Sequence, residues 1–220
     1  MSDCDIKQIV SMFNRHLAGQ GYITLDWRTV KAMIWTETGG PDNRAWKKNP
    51  MQIGKQDDPG LRALLFGNEG GELIMPTALR QRLTVAAVLS TPKSNIEAGT
   101  AYLLMRHARY EIKTVHDRTD KKIYAAKVGP GDSLDKFART HGTTVDVLKS
   151  SNVTTAMLRP GQELKYQKAS LRKVIAGWQM ITSTSIARRY NVGDARYSQK
   201  LNYCLEVMKR NRIAEGRCES

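Results

Sequence analysis

The chain has 220 residues, 40% of them hydrophobic, and carries 35 Lys and Arg against 21 Asp and Glu, a formal charge of +14. That length and apolar content suffice for a core of ordinary size and predict a folded globular protein, one medium domain with room for a small second one. The positive excess predicts attraction to an anionic partner: nucleic acid, a membrane surface, or a bacterial wall with its carboxylates and phosphate polymers.

Ile6, Val10, Phe13 and Leu17 recur at helical spacing before Gly19 and Gly21, so the chain opens on an amphipathic helix. Trp27, Val30 and Ile34 repeat the pattern in a second helix that Asp26 can cap, and Glu37 falls on the same stripe just before Gly39-Gly40-Pro41 stops it. Residues 41–71 are rich in Gly, Pro, Asn and Asp and read as a long loop with short turns, a length usually associated with function. Helical patterns resume in "MPTALRQRLTVAAVLS" and in "SNIEAGTAYLLMRHARYEI", where Ser94 or Asn95 can cap. From Lys121 to Lys168 the texture changes to a short strand, two short helices and a second short strand. Helix is expected again from Leu171 to Arg212, broken at "YNVGDARY". The fold class expected is mainly α: a helical domain (1–118 and 169–220) interrupted by a small βααβ module (121–168).

No apolar run approaches the roughly 20 residues of a membrane span, and the start, MSDCDIKQIVSMF, lacks a basic region followed by an apolar stretch. The expectation is synthesis in the cytoplasm without a signal peptide. Cys4, Cys204 and Cys218 include no C-x-x-C pair and are expected to be reduced, and His16, His107, His116 and His141 show no ligand spacing. Neither a metal site nor a cofactor is expected. Nucleic acid is disfavoured as partner, because no recognition motif accompanies the charge and aromatic residues make up only 7%.

Residues 123–166 resemble a LysM domain along its full length: Val128, Gly131-Asp132-Ser133-Leu134, Phe137-Ala138, Gly142, Val145, Leu148, Asn152, Leu158, Pro160-Gly161-Gln162 and Leu164. Gly131 permits a turn, Asp132 or Ser133 can cap the first helix, and Leu134, Phe137, Val145 and Leu148 fill a small core. The resemblance implies binding of peptidoglycan or chitin-like glycan in a shallow groove lined by Gly131, Asp132, Ser133, Asn152 and Val153, largely through backbone groups. One such copy would act as a tether.

The flanking segments resemble the lysozyme-like fold of soluble lytic transglycosylases through four pieces in order: "ETGG", "NPMQIG", "NIEAGTAYLL" and "YNVGDARY". Thr38 stands where that family has Ser, and Asn49-Pro50 where it has Gly-Leu. The resemblance implies a glycosidase whose catalytic acid is Glu37, with Met51 and Gln52 lining the cleft, Tyr102 projecting toward the acid, and Tyr190 and Asn191 orienting the acid and the substrate's N-acetyl group. A general acid at neutral pH needs a carboxyl above the usual value of about 4.3. The apolar stripe and the negative end of the helix dipole both push Glu37 that way. Asp42, Asp57, Asp58 and Glu69 are the loop carboxylates available as a second catalytic group. The implied reaction is cleavage between N-acetylmuramic acid and N-acetylglucosamine, by lytic transglycosylation or by muramidase hydrolysis, with a non-catalytic wall-binding adaptor as the rival from another class. Action in the periplasm or wall then requires export or lysis, as for a type VI effector or a phage lysin. Peptidoglycan strands are the expected partner, with an immunity protein or a secretion-machine component beside them.

Overall fold

The computed structural model describes residues 2–19, 21–40, 42–55, 58–117, 119–152 and 158–210. The chain divides into two compact units, residues 1–110 with 175–220, and residues 111–174. Among the described residues the architecture is mainly α with two small two-stranded sheets. No helix among the described residues is long and apolar enough to cross a membrane.

The larger unit begins with α1 (Asp3–His16), where Ser2 and Asp5 cap each other's backbone and Ile6, Ile9, Val10 and Phe13 are buried. α2 (Trp27–Thr38) starts at the Asp26 side chain, which accepts from the Arg28 amide, and ends on Gly39 in the left-handed region at φ 78. A residue with a Cβ is disfavoured in that conformation, so glycine ends the helix one residue after Thr38. The stretch 41–71, expected as loop, contains α3 (Arg44–Lys48) and α4 (Pro59–Phe66). Asn43 and Asp58 cap these helices, and the same side chains had marked the segment as turn-like. α5 (Gly71–Ile74) follows. "MPTALRQRLTVAAVLS" forms two helices, α6 (Thr77–Arg82) and α7 (Val85–Ser90), because Thr84 is extended and caps the second one.

α8 (Pro92–His107) is the central helix, buried on every side and packed against α1, α4, α5 and α7. Thr91 precedes Pro92 as its N-cap, so Ser94 and Asn95 lie inside the helix and are buried instead of capping it. Glu97 is 1% exposed and is held by both guanidinium nitrogens of Arg82 from α6, at 2.6 and 2.7 Å. Replacing Arg82 by Met should cost about 3 kcal/mol, because a buried carboxylate loses its counter-ion. Urea denaturation would read this as a lower midpoint, and an unchanged midpoint would show the pair to be energetically idle.

Two segments expected to be helical are strands: β1 (Ala108–His116) and β4 (Ala169–Trp178), which pair as a ribbon. Backbone bonds from Gln179 to His107 and from Asp117 to Lys168 mark its two ends, both at 2.8 Å. Tyr110, Ile112 and Thr114 alternate as a strand requires, but the partner that satisfies their backbone lies some sixty residues later, beyond the reach of a local pattern. After the ribbon come α11 (Ser183–Arg189) and α12 (Tyr197–Arg210), with α12 packed on α2 and α11. Cys204 on α12 is buried and free, whereas Cys4 is disulfide-bonded, against the expectation of reduced thiols.

Within the smaller unit β2 (Tyr124–Lys127) and β3 (Glu163–Tyr166) pair antiparallel, Tyr124 opposite Tyr166 and Lys127 opposite Glu163. Between them run α9 (Leu134–His141) and α10 (Val145–Ser151). The buried cluster is Val128, Phe137, Ala138, Leu148, Leu164 and Tyr166, with Leu134 and Val145 half-buried against it.

Candidate functional site

In the larger unit the last turn of α2 delivers Glu37, and the segment 190–197 covers it. The Asn191 amide donates to Glu37 Oε1 at 3.4 Å. Tyr197, 1% exposed at the start of α12, turns its hydroxyl to the same carboxyl without closing a full hydrogen bond, and that hydroxyl has no partner among the described residues. Burial holds the Glu37 carboxyl above its ordinary value. The Tyr197 hydroxyl, the Asn191 amide and the Lys55 charge oppose that rise, and the Asp194 charge adds to it.

One member of the expected apolar stripe does not reach Glu37. Trp27 lies ten residues earlier, about 15 Å along the helix axis, with Lys7, Arg28 and Lys31 around its ring. It is therefore too far away to desolvate Glu37, whereas Val30 and Ile34 of the same stripe are wholly buried. Residues some 150 positions later in the chain also reach the carboxyl.

Met51, expected to line a cleft, is 1% exposed and packs under α8. A Cβ on Gly99 would lie 2.6 Å from the Met51 Cβ, so the absence of a side chain at Gly99 lets this loop seat on the helix. Asn95 completes the seat: its oxygen accepts from the Met51 amide at 2.8 Å, and its amide donates to Ile53 O at 3.0 Å and Val88 O at 3.3 Å. The Met51 carbonyl accepts from the Tyr190 hydroxyl at 3.1 Å, so Tyr190 ties this loop to the far end of the chain. Burial raises the Tyr190 phenol well above its ordinary value, and the Glu37 charge adds to that rise. Tyr102 stands 5.5 Å from Tyr190, ring to ring, and its own phenol is raised by burial.

Gln52 is the one non-glycine residue with positive φ among the described residues, at 53, and its amide donates back to the Asn49 carbonyl. A left-handed backbone at such a residue stores strain, which occurs most often at functional loops. The loop carboxylates prove less available. Asp58 is a structural cap, with its oxygens accepting from the Gly54 amide at 2.6 Å and the Gly60 amide at 2.8 Å. Glu69 pairs with Arg106 at 3.3 Å, Asp42 is exposed, and Asp57 lies outside the described residues. The carboxylate whose charge reaches Glu37 is Asp194, which sequence reasoning did not single out and which is bound to Lys200 at 2.8 Å. Tyr197 and Asn95 were also missed. The former closes the quoted "YNVGDARY" and the latter opens the quoted "NIEAGTAYLL", so both could have been noticed there, although nothing local marks the loop contacts of Asn95.

The smaller unit uses most of its expected groove side chains internally. Gly131 adopts φ 73. Asp132 accepts from the Gly129 amide at 2.8 Å and pairs with Lys136 at 3.1 Å, and these two contacts, the amide first, hold its carboxyl below the ordinary value. Ser133 caps α9 by accepting from the Lys136 amide. Asn152 is clamped between α10 and β3: its amide donates to Leu148 O and Lys165 O, and its oxygen accepts from the Lys165 amide. These side chains hold the turns in shape, which leaves backbone groups as what the turns can offer a ligand. Val153 lies outside the described residues.

Among the described residues no three His, Cys, Asp or Glu side chains converge as metal ligands would. No curated protein and no solved structure gives a significant match to the chain. The β2–α9–α10–β3 arrangement does have a family: residues 126–166 match the LysM domain, and this chain therefore contains one.

Proposed function

We propose that this protein binds peptidoglycan glycan strands through its LysM domain and cleaves them between N-acetylmuramic acid and N-acetylglucosamine through Glu37. The observation that carries the catalytic half is the Glu37 carboxyl, buried, held above its ordinary value and touched by the Asn191 amide, in a chain that also contains a LysM domain. The resemblance of the flanking motifs to lytic transglycosylases supports the same assignment. A carboxyl whose protonated form is favoured by burial can give its proton to the glycosidic oxygen as the bond to the muramyl C1 breaks. The substrate's N-acetyl oxygen then shields the developing cation. The carboxylate left on Glu37 takes the proton of the muramyl 6-hydroxyl, whose oxygen closes on C1 to give a 1,6-anhydro sugar. Tying Asp58 to Gly54 and Gly60 favours this single-carboxylate route over a two-carboxylate hydrolase. The place of action is the periplasm or wall.

A second reading, a wall-binding adaptor without catalysis, is favoured by the extent of the family match, which stops at residues 126–166. Mass spectrometry of the sugars released from purified insoluble wall separates the cases. Anhydro products, lighter by one water, are the expected result. Reducing-end muramic acid would make the protein a muramidase, and bound protein with no release would make it an adaptor.

A further inference from the structure

The Tyr197 hydroxyl is the unexplained group beside Glu37. A buried phenol ordinarily finds an acceptor, and this one, on a residue 1% exposed, has none among the described residues although it faces a carboxyl. Its helix, α12, packs along α2, so the ring is fixed by the core and not by a mobile loop. The neighbouring phenol of Tyr190 is already committed to the Met51 carbonyl. The spare donor beside Glu37 is therefore Tyr197, and among the described residues the Asn191 amide also donates to the carboxyl, at the long distance of 3.4 Å.

We propose that Tyr197 is a positioning residue for Glu37, holding its hydroxyl in reserve and closing a hydrogen bond onto the carboxyl when that group loses its proton. A protonated carboxyl needs little from a nearby donor, whereas a carboxylate in a desolvated place gains a charge-assisted bond. The carboxylate that remains after the proton has gone to the leaving oxygen is thus held in place, by Tyr197 and Asn191 together, until it takes the proton of the incoming hydroxyl. The inference rests on the proposed role of Glu37, but the contact itself exists whether or not glycan is cleaved.

The other charged or titratable groups that act on Glu37 are Lys55 from the 49–58 loop, Asp194 from the 190–196 turn, and Tyr190. None of them is altered by Tyr197→Phe, which removes one oxygen and keeps the ring. In the intact protein, carbon NMR titration of the Glu37 carboxyl should show its midpoint rising by about one pH unit in Tyr197→Phe, the worth of one hydrogen bond to a charged group. If cleavage occurs, the alkaline limb of kcat/KM should move up with it, a change that mere loosening of the core would not produce. Should the variant fold poorly, the parent protein supplies the test: the Tyr197 Cζ resonance should titrate with the midpoint of Glu37. An unmoved midpoint in a folded variant, or a Tyr197 resonance indifferent to Glu37, would overturn the inference. Loss of the proposed function would appear separately, as a parent protein that releases no sugar while both titrations behave as described.

Discussion

Glu37→Gln is expected to lower wall cleavage by at least about a hundredfold, the lower end of what general acid catalysis contributes, while leaving the fold and wall binding as they are. The amide oxygen can still accept from Asn191, and the volume of the side chain is unchanged, so the variant lacks only the transferable proton. The same substitution should stabilise the protein at neutral pH. Burial raises the folded-state value of Glu37 above its unfolded value, so the folded state binds this proton more tightly than the unfolded chain does. The resulting stabilisation is complete below the unfolded value, about 4.3, and is lost as pH rises through the raised folded value. Above that, parent protein holds a desolvated charge that the glutamine variant does not. Urea midpoints should therefore favour Glu37→Gln at neutral pH, with the advantage fading as pH falls. Turnover near the parent level would move the acid to another residue. A glutamine variant less stable than parent at neutral pH would show that the contacts of Glu37 outweigh its desolvation.

Excising the LysM-bearing unit should separate binding from chemistry. The Gln179 amide bonds to the His107 carbonyl at 2.8 Å, so the chain leaves the helical unit and returns to it at adjacent residues. Its buried core comes from Ile6 to Met105 and from Ile186 to Met208, with Tyr110, Ile175 and Trp178 packed at the ribbon stub. Replacing residues 113–172 by a short Gly/Ser linker keeps all of these. The shortened protein should fold, cleave small soluble glycans at near parent rates, and attack intact wall about tenfold more slowly, because a tether acts through local concentration. Its residual wall binding should vanish as salt is raised, since what remains is attraction by exposed charge, screened over about 8 Å at physiological ionic strength. An unfolded product would make the ribbon part of the catalytic core. Unchanged attack on intact wall would mean that the LysM domain does not tether substrate.

Much of the architecture was legible where the determining interactions are local. The stripe Ile6, Val10, Phe13 and Leu17, the Asp26 cap and the Gly39 stop are set within a few residues of one another, and α1 and α2 run where these signals put them. The βααβ order between Tyr124 and Tyr166 was readable for the same reason, since Gly131, Ser133 and Gly142 punctuate it at turn and cap positions. Asp58 shows the limit of such reading: in sequence it is a loop carboxylate available for chemistry, and in the fold both its oxygens are bound by backbone amides.

By itself, then, the sequence determined the helical periodicity, the chain stops and the identity of the LysM domain, because each is encoded in side chains a few positions apart. Tertiary structure alone decided the rest. The β1–β4 ribbon needs two strands about sixty residues apart to satisfy each other's backbone. Asn95 became the clamp for the 51–53 loop only once α8 was buried beneath it. The surroundings of Glu37 were decided in the same way. Tyr190 and Asn191 were expected near it from the quoted motif, but the burial that raises its carboxyl, the Asn191 contact at 3.4 Å and the approach of the Tyr197 hydroxyl come only from packing residues some 150 positions apart.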